Sequence, residues 1–146
     1  MMWLELLTTI VTGVFAGAAI YINVAEHPAR MSCGTELAAT VFPASYARAS
    51  AMQASLVVVG TVLAIIVWIL TGQILWLVGG VILGAIFPYT LIGIMPTNKL
   101  LQEPGIDKSA NSTRALLVKW GNLHLVRSIL ALVAFAIFAY VLALSG

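Results

Sequence analysis

Residues 120–127 read Trp-Gly-Asn-Leu-His-Leu-Val-Arg and lead directly into a run without any charge, Ser128 to Ser145. A run of this length can cross a bilayer as a helix, which takes about 20 residues. On that helix Trp120, His124 and Arg127 are spaced i, i+4 and i+7 and share one face. Ionisable side chains near the apolar phase normally face a bundle interior and indicate a functional site. The alternative is an interfacial anchor whose polar groups lie among the lipid headgroups.

The composition identifies a membrane protein. The chain has 146 residues, of which 62% are hydrophobic and 8% are charged, whereas soluble domains carry about 25% charged residues. The net charge of +2 gives no reason to expect a nucleic-acid partner. The lone cysteine, Cys33, excludes an intrachain disulfide and is expected to be an ordinary thiol in a loop.

Four apolar runs predict an all-α fold, an integral membrane four-helix bundle with up-down-up-down order and a single domain, residues 1–146. The predicted spans are residues 6–25, 51–70, 74–95 and 123–144. Two pairs of glycines spaced i, i+4 predict close helix packing, Gly13 with Gly17 and Gly80 with Gly84.

Prolines and polar stretches predict where the spans end. Pro28 disfavours helix at His27, so the first helix should end there. Pro88 should kink the third helix. Residues 31–50 have mixed polarity and are expected to form a loop, with a short helix on the membrane surface as an open alternative, and residues 99–113 are expected to form a polar loop.

The positive charges predict the orientation in the membrane. Every Lys and Arg except Arg127 lies in the two connections expected to be loops or directly beside them. The positive-inside rule therefore places both connections in the cytoplasm and both termini outside. Asn23, His27 and Asn98 then share one end of the bundle with the stripe on the fourth helix, and the opposite end is expected to be chemically empty.

The sequence contains no standard metal or hydrolase motif. His27, His124 and Glu26 could form a metal site, and the two histidines could instead ligate haem, although no ligand spacing supports either. What remains is an imidazole base, amide donors and an arginine around an apolar cavity. That set suits proton abstraction from a hydrophobic acid, with the anion held by Arg and Asn.

Three segments of the chain resemble the anthrone oxygenase-like family of small four-helix membrane proteins. They are Gly13-x-x-x-Gly17 leading to Glu26-His27-Pro28-Ala29, Pro88-Tyr89-Thr90 leading to Pro96-Thr97-Asn98-Lys99-Leu100, and Trp120-x-x-x-His124-x-x-Arg127. Fungal members are implicated in oxidising anthrones to anthraquinones with O2, apparently without a cofactor. The resemblance implies a multi-pass protein of a bacterial inner membrane whose partners are the lipid bilayer, O2 and a hydrophobic aromatic substrate.

The resemblance matches His27, Asn98, Trp120 and Arg127 to recurrent polar positions of the family, and the residue chemistry adds the other members of the predicted site. His27, His124, Asn98 and Arg127 are expected to be catalytic, with His27 favoured as the base; Trp120, Asn23, Tyr89 and Glu26 are expected to contact the substrate, Trp120 by stacking. Arg127 should find a partner in Glu26, Asn23 or a bound anion, above an apolar cavity near Tyr89 and Ile20. Two alternatives stay open. The first is a non-enzymatic membrane protein that binds lipid or small molecules or assists the assembly of a complex. The second is a His-ligated haem or metal protein. A homo-oligomer is compatible with each.

Overall fold

The computed structural model describes residues 1–144 and confirms the all-α prediction. Four long helices, here α1 to α4, run Met2–Ser32, Thr35–Thr71, Ile74–Leu101 and Asn111–Leu144. Each is long and apolar enough to cross a bilayer, and each contains one of the predicted spans. The molecule is therefore an integral membrane helix bundle, in which all backbone polar groups of a span are satisfied within its own helix.

The helices form a ring of sequence neighbours. α1 packs against α2 and α4, and α3 packs against the same two helices. The α2–α3 connection is a tight turn in which Gly72, with φ 70°, adopts the left-handed conformation that ends α2. The ring order and this hairpin are those of an up-down-up-down bundle, as predicted.

The prediction that α1 ends at His27 is wrong. A five-residue π-turn, Ile22–Glu26, precedes Pro28, and the His27 N–H bonds back to Ile22 O. The wider turn accommodates the proline ring, and Pro28 lies in the first turn of the following α-segment, where its missing N–H costs little. α1 therefore continues to Ser32.

α3 repeats this arrangement. A departure from regular α-geometry was expected at Pro88, and the helix forms the π-turn Thr90–Ile94 directly after it. Pro96 then lies in the first turn of the next α-helical segment. The helix continues to Leu101 instead of ending at residues 95–98. Both π-turns lie at the end of the bundle where the predicted site residues are found.

The prediction of a loop over residues 31–50 is also wrong. Only Cys33 and Gly34 separate α1 from α2, and Gly34 has φ 100°, which favours glycine. The following segment is rich in alanine, a strong helix former, and buries Ala38, Ala39 and Phe42 on one face. The α3–α4 connection is likewise shorter than predicted and covers residues 102–110.

The second glycine pair packs as predicted. A Cβ added at Gly80 would lie 3.1 Å from Ala64 Cβ, and one at Gly84 would lie 3.1 Å from Thr61 Cγ2. The absence of side chains at these two positions brings α3 close to α2.

The first glycine pair is only half confirmed. A Cβ added at Gly13 would lie 2.8 Å from the Phe135 ring of α4. Gly17 is exposed and has nothing within 4 Å of such an atom, so its predicted close contact is wrong.

The end of the bundle near the α2–α3 turn is not chemically empty, contrary to expectation. Glu5 is buried there on α1, followed by Thr8, Thr9 and Thr12. The three hydroxyl groups donate to carbonyls one turn earlier in the same helix. These four polar residues are spaced by three or four along one face of α1, and that spacing was visible in the sequence.

Candidate functional site

A small cavity lies between the helices at the end of the bundle that carries the basic connections. Its volume is about 20 Å³, enough for one water molecule or one ligand oxygen atom. Trp120, His124 and Arg127 all line it, together with Asn98 from α3. We call this space the chamber; its other lining residues are Ile22, Arg30, Phe42, Ser45, Tyr46, Ala49, Ser50, Gln53, Thr90 and Ile94.

His124 has one ring nitrogen engaged and one free. Its Nδ1 lies 2.7 Å from Asn23 Oδ1. The Asn23 amide is oriented by its neighbours, because Nδ2 donates to Gly121 O at 3.0 Å and Oδ1 accepts from the Ser128 hydroxyl at 2.7 Å. An amide oxygen only accepts, so in the neutral ring Nδ1 carries the proton and Nε2 presents a lone pair. No residue in the described part of the chain hydrogen-bonds to Nε2.

Asn98 contributes an unpaired donor. The residue is 0% exposed, and its Oδ1 accepts from Trp120 Nε1 at 2.7 Å, which fixes the orientation of the amide. Its Nδ2 has no hydrogen-bond partner within residues 1–144. Leaving a buried amide donor unpaired costs about 1–3 kcal/mol. Such a group in the wall of a cavity is suited to bind a ligand oxygen.

Arg127 contributes a second unpaired donor. Its Nη1 donates to Thr90 Oγ1 at 3.3 Å, and its guanidinium lies over the Phe15 ring at 5.3 Å. Its Nε is buried and has no partner among the described residues. The predicted protein partners are wrong, because Glu26 bonds Ser45 and Asn23 bonds His124.

His27 lies beside the chamber but does not line it. Its Nε2 donates to Leu117 O at 3.0 Å, and its Nδ1 accepts from Arg30 Nε at 3.1 Å. The ring fits against Gly121, where an added Cβ would lie 2.9 Å from it. Both nitrogens are engaged, so the geometry presents His27 as a link between α1 and α4 and gives it no free basic nitrogen.

Arg30 occupies the place in the chamber that the sequence suggested for His27. Its guanidinium carbon lies 5.2 Å from the Trp120 ring centre and 5.5 Å from that of Phe42. Its charge is offset by Glu26, with a distance of 3.7 Å between Nη1 and Oε1. That ion pair and the hydrogen bond from Ser45 explain why Glu26 is unavailable to Arg127.

The aromatic residues expected to contact the substrate also hold the framework together, and Trp120 in addition lines the chamber. The Trp120 ring stacks on His124 at 4.9 Å and meets Phe42 edge-on at 5.2 Å. Tyr89 Oη donates to Leu123 O at 2.8 Å, and neither Tyr89 nor Ile20 lines the chamber. These contacts hold the His124 ring and fix α3 against α4.

A lateral groove adjoins the chamber. It lies between α2 and α3, has a volume of about 320 Å³, and is of the size of small-molecule pockets, about 300–1,000 Å³. Four residues line both spaces: Tyr46, Ser50, Thr90 and Arg127. The remaining groove residues are mostly apolar: Ala51, Ala54, Val57, Ile86, Phe87, Leu91 and Met95.

His27, His124 and Glu26 do not come together as the alternative metal site. Residues 1–144 contain no group of three His, Cys, Asp or Glu side chains placed to hold a metal ion. Glu26 and the nitrogens of His27 are engaged with Arg30, Ser45 and the α4 backbone instead.

The part of the chamber wall that α2 contributes was not predicted from the sequence. Phe42, Tyr46 and Gln53 lie in or next to the stretch that was predicted to be a loop, and Ser45, Ala49 and Ser50 join them. These six residues are spaced by three and four and therefore share one helical face. That spacing is the signal that would have found them.

Comparison with known proteins gives one match. A family model described as Anthrone oxygenase matches residues 42–137, which include Asn98, Trp120, His124 and Arg127. No curated protein and no solved structure matches. Since the family model covers more than half of the residues, the chain belongs to the anthrone oxygenase family.

Proposed function

We propose that the protein is a membrane-embedded oxygenase that uses O2 on a hydrophobic phenolic or anthrone-like aromatic compound. One observation carries the proposal. The free Nε2 of His124 shares a buried chamber with the unpaired donors Asn98 Nδ2 and Arg127 Nε. A base beside two donors is the set needed to remove a proton and hold the resulting oxyanion.

The two adjoining spaces suggest how a substrate is seated. The chamber accommodates a single oxygen atom, whereas the groove has room for an aromatic ring system. We therefore place the hydroxyl oxygen of a phenol, or of the enol form of an anthrone, in the chamber and the rings in the groove. The groove lies between two membrane-spanning helices, so an apolar compound can enter from the lipid.

His124 is the proposed base, assisted by Asn23. The hydrogen bond to Asn23 selects the tautomer in which Nε2 is basic, and Trp120 holds the ring plane. Proton transfer from the substrate hydroxyl to Nε2 gives an enolate whose charge is delocalised onto carbon. General-base assistance of this kind contributes typically about 10²–10⁴-fold in rate.

Asn98 and Arg127 are the proposed anion-binding groups. Arg127 makes no ion pair within residues 1–144, so its charge is available to an anionic oxygen. Asn98 supplies a neutral donor whose orientation Trp120 has already fixed. Donors that are held in place before the reaction stabilise developing charge without reorganising.

The O2 step takes place in the groove. The nucleophilic carbon of the enolate lies with the rings, outside the chamber, where an apolar route admits O2. Overall, a methylene group and O2 yield a carbonyl group and water. No cofactor is required for the electron balance.

We infer from the Lys and Arg distribution that the two basic connections are cytoplasmic and both termini lie outside. The family resemblance suggests that the membrane is a bacterial inner membrane.

The test uses the purified protein in detergent with anthrone as the probe. Mixing without O2 should produce the visible absorption of the enolate, and admitting O2 should yield anthraquinone with consumption of O2. His124→Ala should slow the first step by about 10²–10⁴-fold. Binding of anthrone without enolate formation would contradict the proposal and favour a non-enzymatic binder of hydrophobic molecules.

A further inference from the structure

The groove contains one hydroxyl group whose proton is not committed to an oxygen acceptor. Thr90 Oγ1 donates to Ile86 O at 2.8 Å, and Ser50 Oγ donates to Ala47 O at 3.3 Å. Within residues 1–144, Tyr46 Oη has only the thioether sulfur of Met95 as a hydrogen-bond partner, at 4.0 Å. A thioether is a weak acceptor, so the phenolic proton is available to a stronger base that enters the groove.

Tyr46 is also placed at the junction of the two spaces. It lines both the chamber and the groove, as does Arg127. Its ring stacks on Phe42 at 5.8 Å with an interplanar angle of 7°, which holds the hydroxyl in position. The guanidinium of Arg127 is suited to stabilise a tyrosinate formed there.

We propose that Tyr46 is a further catalytic residue, the acid that protonates the peroxide anion formed when the enolate carbon reacts with O2. This inference rests on the proposed function. The carbanion carbon and O2 form a C–O bond, which leaves the negative charge on the distal peroxide oxygen. Transfer of the Tyr46 proton to that oxygen gives a neutral hydroperoxide and a tyrosinate.

The cycle then closes with the same residues. The tyrosinate removes the remaining C–H proton, the O–O bond breaks with loss of hydroxide, and a carbonyl group forms. The hydroxide takes the proton that His124 received in the first step and leaves as water. Tyr46 and His124 return to their starting states, and one O2 has been reduced by the four electrons that the methylene group supplies.

The experiment compares Tyr46→Phe with Tyr140→Phe, which removes the hydroxyl of a tyrosine that is 60% exposed. Each variant is mixed with anthrone without O2, and O2 is then admitted. Tyr46→Phe should form the enolate within about twofold of the unmodified protein, because His124 is intact. Anthraquinone formation should fall by roughly 100-fold, within the range for general acids, and superoxide released per O2 consumed should rise. Tyr140→Phe should change neither step.

The possible results separate this inference from the proposed function. Normal anthraquinone formation by Tyr46→Phe, or loss of enolate formation together with the O2 step, overturns the acid role. Failure of the unmodified protein to form the enolate overturns the proposed function and this inference with it. If Tyr46→Phe does not fold, 3-fluorotyrosine at position 46, which keeps the ring and the hydroxyl group, should change the rate of the O2 step and leave enolate formation within about twofold of the unmodified protein; an unchanged O2 step overturns the inference.

Discussion

Asn98→Asp should separate stability from activity. The replacement has nearly the same shape, and a carboxylate oxygen can still accept from Trp120 Nε1, which now lies 2.7 Å from Asn98 Oδ1. What changes is the second group of the side chain. A donor without a partner becomes an acceptor with negative charge, in a chamber that Arg127 also lines.

We expect the replacement to preserve or raise the thermal stability of the protein and to lower its rate of enolate formation. The unpaired Nδ2 costs the folded protein about 1–3 kcal/mol, and a carboxylate in its place can interact with the guanidinium. The variant should therefore unfold at the same temperature as the unmodified protein or at a higher one. Enolate formation should fall by about 10²–10³-fold, or roughly 2.7–4 kcal/mol, the loss measured when one oxyanion donor is removed.

Both quantities can be measured on the same preparation. Thermal unfolding in detergent reports stability, and the absorbance of anthrone without O2 reports enolate formation. Asn122→Asp, at an exposed position of α4, is the matched control and should leave enolate formation unchanged. Undiminished enolate formation by Asn98→Asp would refute the role of Nδ2, and a large fall in unfolding temperature would contradict the expected stability and show that desolvation of the buried carboxylate outweighs its attraction to Arg127.

Three further predictions test the base, the groove and the orientation. His124→Ala should lower enolate formation by about 10²–10⁴-fold, whereas His27→Gln, which keeps a donor for the α4 carbonyl, should retain most of it; the opposite order would make His27 the base. Ala54→Phe should fill the groove and weaken anthrone binding, measured by equilibrium titration, at least tenfold, whereas Val58→Phe on the exposed face should not; equal losses would place the rings elsewhere. Cys33 is exposed in the α1–α2 turn, so a membrane-impermeant maleimide should label it in inverted vesicles and not in intact spheroplasts; labelling in spheroplasts would contradict cytoplasmic basic connections.

The sequence determined the number of helices and their class. A span must satisfy its backbone groups internally, so long apolar runs in this chain have no alternative to helix. The stripe of Trp120, His124 and Arg127 was also predictable, because residues spaced i, i+4 and i+7 share a face whenever one regular helix contains them. The structure buries all three in one chamber.

The prediction of helix ends from proline positions failed because the π-turns were not anticipated. Pro28 was expected to end α1, but the π-turn before it lets the helix continue. Asn23 lies within that turn and His27 directly after it. Asn23 bonds the His124 side chain, whereas His27 bonds the α4 backbone. A sequence pattern that assumes a constant helical period cannot anticipate this change of phase.

Only the tertiary structure decided which polar atoms are engaged and which are free. The two histidines are equivalent as residue types, and their neighbours along the chain do not reveal which ring nitrogens are engaged. His27 has both nitrogens satisfied by Arg30 and Leu117, residues of two different helices. His124 bonds Asn23 through Nδ1, and no group in the described part of the chain bonds its Nε2. Hydrogen bonds between side chains about 100 positions apart depend on how the helices pack, and no local pattern encodes that packing.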